Sequence, residues 1–524
     1  MTERPIKGTV TLDGVDYDLT GSLKTRPPTT AAEIRAAAVA PAGLPHALPL
    51  AASWCTGTLP GSFDPDWQLE QIRQGRHLWP WFQFPDLAQP PSPEAAAYYQ
   101  AALTTCREQG LPITLVGTQW EQLLYQESAT LSLPPDENPN VVLADGSIRP
   151  ELSPFGPTPP WFAVGRRWTA TALMAQLQTW YPEPPRVILL SNNEAKKLQW
   201  PDAADDRRCP KGLSVDEKRK VVGDGWISRY RVLQDGLEAG LSVKWAAVTK
   251  HWAYNACAPA FLGRWAVWNQ YALACPGRLD PSPLMWDGGS ASYYTAPGTG
   301  VTDERVMSPQ VEAMNWVPAR AAAALLNPAF DFELSCWDGG PEQRAAYAAL
   351  GQTYTPARYG GFVQWGLWLN RPRVARDFRY YTDTRASEEP YFQALAAAVD
   401  RVHGNPELKR FWQQGQLVAN PAALHPYQTA LTNEQKAMPR WYGLDTSLDP
   451  PRPWSLQTPL PVRALALALG LLGQREWLVY AHAPTGDRNG VKISLPTERL
   501  PPLDVPVAGR FWRVEERSGR VVVI

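Results

Sequence analysis

The chain carries little with which to hold a metal, a nucleotide or a nucleic acid. Its six histidines lie far apart, with no H-E-x-x-H or comparable ligand spacing. Its six cysteines (Cys55, Cys106, Cys209, Cys257, Cys275 and Cys336) include no C-x-x-C pair. Neither a zinc site nor a disulfide framework is expected from that scatter; reduced, mostly buried thiols are. No P-loop occurs and no G-x-G-x-x-G opens a helix, while Gly288-Gly289-Ser290 lacks a following lysine and reads as a turn. No metal and no cofactor are therefore expected. Lys and Arg (50) balance Asp and Glu (51), which argues against a nucleic-acid partner, since that requires clustered positive charge. No apolar run approaches the roughly 20 residues of a membrane span. Met1 to Lys7 has no apolar signal-peptide core, so the chain reads as cytoplasmic, or as extracellular or virion-associated if a leader has been removed.

Aromatic residues are what the chain has in plenty: 24 Trp and 19 Tyr among 524 residues. Many must fill a core, but such a density of rings also suits a cleft that stacks on sugar faces. The length exceeds one small domain and fits a barrel with an appended module.

Residues 6–23 alternate around Asp13-Gly14, a hairpin signal, and a Pro- and Ala-rich connector follows. Together they form a first unit, residues 1–47. From residue 48 an apolar run followed by a helix pattern recurs eight times. The runs are Leu48–Trp54, Arg76–Phe82, Ile113–Val116, Val187–Leu190, Val243–Val248, Pro283–Trp286, Phe330–Ser335 and Phe362–Trp368. Helix signals separate them: Ser92-Pro93-Glu94 opens one helix that Gly110 closes, and Ser214-x-x-Glu217 is a capping box. Residues 131–161 form a long Pro-rich excursion. The rhythm predicts an α/β fold, a (β/α)8 TIM barrel over residues 48–470. Short strands after about residue 470 (477–480, 491–495, 511–514 and 521–524) predict a small C-terminal antiparallel β domain, residues 471–524. The N-terminal hairpin is a candidate to complete its sheet.

Two runs end in chemistry. Ser191-Asn192-Asn193-Glu194 follows the fourth and Asp331-Phe332-Glu333-Leu334-Ser335 lies in the seventh, each bringing a glutamate toward the carboxyl end of a strand. Alternating strand–helix folds expose their catalytic groups there. Hydrolysis of a sugar acetal needs two carboxyl groups, one to protonate the leaving oxygen and one to attack the anomeric carbon or activate water.

Asn193-Glu194 on a fourth strand, with Glu333 on a seventh, resembles clan A of the retaining glycoside hydrolases. The resemblance covers roughly residues 48–380. It implies a β-linked poly- or oligosaccharide cleaved by double displacement, with Glu194 as acid/base, Glu333 as nucleophile and Asn193 on the sugar 2-hydroxyl. Tyr181-Pro182-Glu183-Pro184-Pro185, Trp286-Asp287-Gly288-Gly289-Ser290, Glu333 to Gly339 and Arg371-Pro372-Arg373 are similar to phrases in bacterial glycosidase-like proteins of unassigned substrate.

Further substrate contacts are expected from groups near run ends: Arg76, His77, Trp120, His251, Tyr254, Asn255, Asp287, Tyr293, Trp337, Trp365 and Trp368. Trp365 and Trp368 are the leading candidates for a stacking platform. Glu121, Asp287 and Asp338 are the rival carboxylates. Glu333 also has a purely structural reading, as the buried partner of an arginine such as Arg371 or Arg376. The competing function is a non-catalytic carbohydrate-binding or structural barrel on a virion or cell surface.

Overall fold

In this computed structural model the described residues are all but 1, 13–14, 26–37, 40–46, 54–64, 76, 84–90, 118–119, 122, 125–130, 192–199, 255, 258–281, 292–304, 378–384, 419–432, 438, 456, 459–461, 472–473, 494 and 496–499. Eight parallel strands form the central sheet. In chain order they are β1 (Leu50–Ser53), β2 (Trp81–Gln83), β3 (Ile113–Gly117), β4 (Val187–Ser191), β5 (Thr249–Ala253), β6 (Gly288–Gly289), β7 (Asp331–Ser335) and β8 (Val374–Asp377). From β2 to β8 each pairs with the next, and β8 pairs back onto β1. A parallel bridge between Ala51 and Leu78 joins β1 to the chain entering β2, reinforced by Trp79 N donating to Ala51 O at 2.7 Å. The sheet therefore closes, and the fold is a (β/α)8 barrel.

The apolar runs at β3 and β4 exist because a barrel strand is buried on both faces. Alternate residues face inward. Ala52, Trp79, Trp81, Val116, Ile188, Leu190, Trp252, Tyr254 and Val374 form an interior cluster separate from the main core. Their sequence neighbours Ala51, Leu115, Leu189, Ala253, Leu334 and Ala375 belong to the core between sheet and helices.

Three of the expected strands are displaced. Residues 243–246 are a helical turn and β5 follows at Thr249. Residues 282–284 are a short 3-10 turn, and β6 is Gly288-Gly289. Gly288 is required there because a Cβ would lie 2.6 Å from the Trp252 indole nitrogen that fills the interior. Run eight, Phe362–Trp368, is a helix, and the eighth strand is the polar Val374-Ala375-Arg376-Asp377.

The helices used below are α1 (Pro93–Gln109), α2 (Pro159–Thr169), α3 (Val215–Ala239), α4 (Ser308–Leu326), α5 (Pro356–Asn370), α6 (Arg385–Gly404) and α7 (Pro406–Gln414). The sequence signals for α1 and α3 hold. Ser92 accepts from Ala95 N, Gly110 closes α1 in the left-handed region, and Ser214 and Glu217 complete a reciprocal capping box. Helices α2 and α3 cross at backbone contact. A Cβ on Gly236 would sit 2.2 Å from Phe162 O, and one on Gly165 2.2 Å from Leu233 O. Alanine gains about 1 kcal/mol of helix propensity over glycine. Overpacking against backbone costs about 1–3 kcal/mol or more, so the clash wins. Gly236→Ala should lower the denaturation midpoint; an unchanged or raised midpoint would mean the helices are not in contact there.

Within the 131–161 excursion, Asn140–Val142 and Ile148–Leu152 pair as a hairpin. It is pinned to the segment after β4 by Asp206, which accepts from Ser153 Oγ at 2.6 Å and from Val142 N at 3.3 Å. Arg208 donates to Asp206 and to Asn138 O.

An antiparallel sheet packs beside the barrel. Its strands include β9 (Gln416–Val418), β10 (Arg440–Asp445), β11 (Arg452–Trp454), β12 (Leu465–Leu471), β13 (Glu476–His482), β14 (Arg510–Glu515) and β15 (Arg520–Val523). It thus draws strands from ahead of residue 471. The N-terminal hairpin, Thr2–Leu12 with Val15–Thr25, pairs with itself and not with this sheet. The N-terminal strand that does join is Ala38–Val39, beside β9. One face of the sheet, including Leu467, Leu469, Leu478, Tyr480 and Phe511, shares a core with the barrel helices; the other face forms its own cluster. No helix among the described residues is long and apolar enough to cross a membrane.

Candidate active site

Inward alternation on β7 places Asp331, Glu333 and Ser335 on the barrel-interior face, opposite to Phe332 and Leu334 in the outer core. On β8 the same register puts Val374 and Arg376 inside, beside Glu333 and Ser335. The neighbours meet: Arg376 donates through Nε at 2.9 Å and NH2 at 2.7 Å, both to Glu333 Oε1. The paired side chains are 1% and 3% exposed. The guanidinium carbon lies 4.4 Å from the Tyr254 ring centroid and 5.8 Å from that of Trp81. Two aromatic faces and a carboxylate thus surround one cation in the carboxyl half of the barrel.

This arrangement is unfavourable as a stability device. Desolvating two charges costs several kcal/mol per ion, which a buried pair recovers only with good geometry. Both nitrogens address the same oxygen, and no described residue hydrogen-bonds Oε2. The pair therefore presents an aimed carboxylate with one oxygen committed to holding it in place.

Around it, polar groups at strand ends brace the barrel rim from outside. Asp338, after β7, accepts from Gly340 N at 3.0 Å and from the Tyr354 hydroxyl. Asp377, at the end of β8, accepts from Tyr359 OH at 3.0 Å. Cys336 between them is fully buried, and burial pushes its thiol well above the usual range. It is a packed group, not a nucleophile.

The other expected site residues divide sharply. Tyr254 lies inside the barrel, against Arg376. Trp337, just beyond β7, is partly buried. Glu194, Asn193, Arg76, Asn255 and Tyr293 lie outside the described residues.

Several expectations need correction. Trp365 and Trp368 are not a sugar platform: both are 0% exposed within α5. Trp365 Nε1 donates to Gln310 O, and Trp368 packs edge-on against Trp412 and Phe511. His251 faces the helical shell, with Nε2 2.9 Å from Glu238 Oε1. Asp287 precedes β6 at its amino end, where it accepts from His251 N at 2.9 Å and pairs with Arg231. His77 lies at the amino end of β2, its Nδ1 2.8 Å from Asp400, with its ring stacked on His403 at 3.5 Å. These three groups are at the wrong end or face of the barrel for a site at the carboxyl rim. Trp120 is 1% exposed and lies edge-on against Trp168. The rival Glu121 accepts from Tyr230 of α3 at 2.8 Å, in the shell.

Trp81 is the site residue the sequence reading missed. The alternation Trp79-Pro80-Trp81 was its signal, since residues two apart share a strand face. Among the described residues no three His, Cys, Asp or Glu side chains come together as metal ligands.

No protein-family model matches the sequence, and no curated protein does. Among solved structures the chain is similar to a Cellulomonas fimi endo-beta-1,4-mannanase double mutant, at 11% identity and TM-score 0.36, over 95% of this chain and 97% of that one. It is also similar to a family 51 alpha-L-arabinofuranosidase from Bifidobacterium longum, at 12% identity and TM-score 0.35, over 87% and 86%. Similarity this distant carries nothing about activity, and the barrel assignment rests on the strand pairing itself.

Proposed function

We propose that the chain is a retaining glycoside hydrolase acting on a β-linked poly- or oligosaccharide. Glu333 is the nucleophile and Glu194, three residues beyond the end of β4, is the acid/base. The observation that supports this reading is a buried, inward-facing glutamate on β7, fixed through Oε1 by Arg376. Oε2 then attacks the anomeric carbon while Glu194 gives its proton to the leaving oxygen. Water, deprotonated by Glu194, next displaces Glu333 from the glycosyl-enzyme and returns the retained anomer. Asn193 would hold the 2-hydroxyl, and Tyr254 with Trp81 supports the guanidinium that aims the nucleophile. The separation required between the two carboxyl groups is about 5–5.5 Å.

A second reading has its own observation. At 2% exposure and bound by Arg376, Glu333 also fits a structural pair in a barrel that binds carbohydrate without cleaving it. Turnover separates the two. The wild-type chain, Glu194→Gln and Glu333→Gln should be assayed on a panel of nitrophenyl glycosides and purified polysaccharides. The enzymatic reading expects turnover by the wild type that both variants lose. A wild type that binds a glycan on the panel yet cleaves none, or variants as active as the wild type, would overturn it. Glu333→Gln should also melt lower, because it removes the carboxylate charge that Arg376 Nε and NH2 address in a buried setting; Glu194→Gln supplies the cleaner comparison.

A further inference from the structure

Where the antiparallel sheet meets the barrel, a histidine is buried with no counter-charge hydrogen-bonded to it among the described residues. His482 ends β13 and is 0% exposed. Its ring centroid is 6.1 Å from that of Trp365 on α5, and Tyr480 of the same strand lies nearly parallel at 6.3 Å. Gly361 of α5 makes the closest approach. A Cβ there would sit 2.1 Å from Val507 O and 3.0 Å from His482 Nδ1. The helix backbone, the turn at Val507 and the imidazole thus meet at Gly361, and Tyr480 OH donates to Gly361 O at 2.8 Å across the junction.

Among the described residues neither ring nitrogen completes a hydrogen bond of good geometry, and the Val507 backbone favours the protonated ring. Burial lowers the imidazole from 6.5 to about 3, which Val507 opposes only in part. The charged groups facing the junction do not compensate. On α5, Arg358 donates to Pro484 O. On α6, Arg401 lies over Phe511 and donates to Ile524 O. Asp487 is engaged with Val507 N at 2.9 Å. The hydroxyls of Tyr347 and Tyr480 are given to Pro484 O and Gly361 O. No described carboxylate hydrogen-bonds the ring.

We infer that His482 makes the barrel–sheet junction an acid-released latch, closed over a neutral ring and opened when water can reach and protonate it. The closed junction favours the neutral form, so its stability is fully present above the open-state value near 6.5 and is lost as pH falls below it. Each opening takes up one proton. The open-to-closed ratio therefore rises as pH falls, approaching tenfold per unit well below 6.5, and grows about 16-fold between pH 6.5 and 5. The latch concerns the docking of the sheet and is independent of the carboxylates in the barrel.

Hydrogen exchange on the full chain tests it, followed by mass spectrometry on peptides covering residues 356–370 and 476–482 and corrected for intrinsic rates. In the wild type, protection of both segments should fall about 16-fold from pH 6.5 to pH 5. In His482→Phe, which keeps the ring volume without the titrating nitrogens, that fall should vanish. Gly361→Ala should open the junction at both pH values, showing that the assay reads undocking. Equal loss of protection in the wild type and His482→Phe would overturn the latch. So would a flat wild-type profile. Should His482→Phe fail to fold, the wild-type imidazole resonance decides: it should not titrate above about pH 4, and a midpoint near 6.5 in the folded chain overturns the proposal.

Discussion

Arg376→Met should destabilise the barrel by about 3–5 kcal/mol, the cost of leaving one member of a buried ion pair without its partner. Glu333 would remain on the interior face of β7 with both of its donors to Oε1 gone. Methionine roughly preserves the volume beside Tyr254 and Trp81, so lost packing is the smaller part of the effect. The informative comparison is the double variant Glu333→Leu with Arg376→Met. Removing both charges spares both desolvation penalties, and such replacements are often neutral or stabilising by about 1–4 kcal/mol. The double variant should therefore be far more stable than Arg376→Met and at least close to the wild type. A pair that costs stability beside the apolar interior cluster is what the proposed nucleophile role for Glu333 would account for. Denaturant titration of the wild type, Glu333→Leu, Arg376→Met and the double variant gives the coupling. A double variant as unstable as Arg376→Met would mean that the pair is a structural brace, and the case for Glu333 as nucleophile would weaken accordingly.

The second large effect concerns the two glutamates, whose removal should not look alike. Loss of the nucleophile abolishes the covalent route for every substrate, so Glu333→Gly should reduce turnover on the order of 10^4-fold or more whatever the leaving group. Loss of the acid removes proton transfer, typically worth about 10^2–10^4-fold, but only where the leaving oxygen needs a proton. Glu194→Ala should consequently form the glycosyl-enzyme at near wild-type rate from a dinitrophenyl glycoside and then stall, since the same residue activates the water. A burst followed by slow steady-state release should be seen in that variant alone. If Glu194→Ala instead loses activity equally on dinitrophenyl and alkyl glycosides, the acid lies elsewhere.

How much of this could be read from the sequence follows from burial. Strands β3 and β4 announced themselves because both faces are covered, giving the continuous runs Ile113–Val116 and Val187–Leu190. The same logic misled at Phe362–Trp368. Helix α5 is enclosed by the barrel on one side and the antiparallel sheet on the other, so it is buried on all sides from Gly361 to Asn370 and carries no amphipathic stripe. Its start was nevertheless marked: Thr355 caps Arg358 N and Pro356 opens the first turn. The true eighth strand was hidden because its inward position holds Arg376 instead of an aliphatic residue. Short β6 was hidden because Gly288 cedes its space to Trp252. The site shows the same division. The place of Glu333 on the seventh strand was legible, and Arg376 as its ion partner was one of the readings the sequence left open. That His251 and Asp287 serve the shell was not legible, because a displacement of β5 and β6 along the chain changes which residues end each strand and which face they take.

The most direct measurement is chemical rescue of Glu333→Gly by azide, with the anomeric configuration of the product determined by NMR. Azide fits the space of the missing carboxylate and attacks from the same face, so a β-linked substrate should yield the α-glycosyl azide while hydrolysis remains suppressed. A β-glycosyl azide, or a variant that hydrolyses its substrate at the wild-type rate without azide, would contradict the assignment of Glu333 as the group that attacks the sugar.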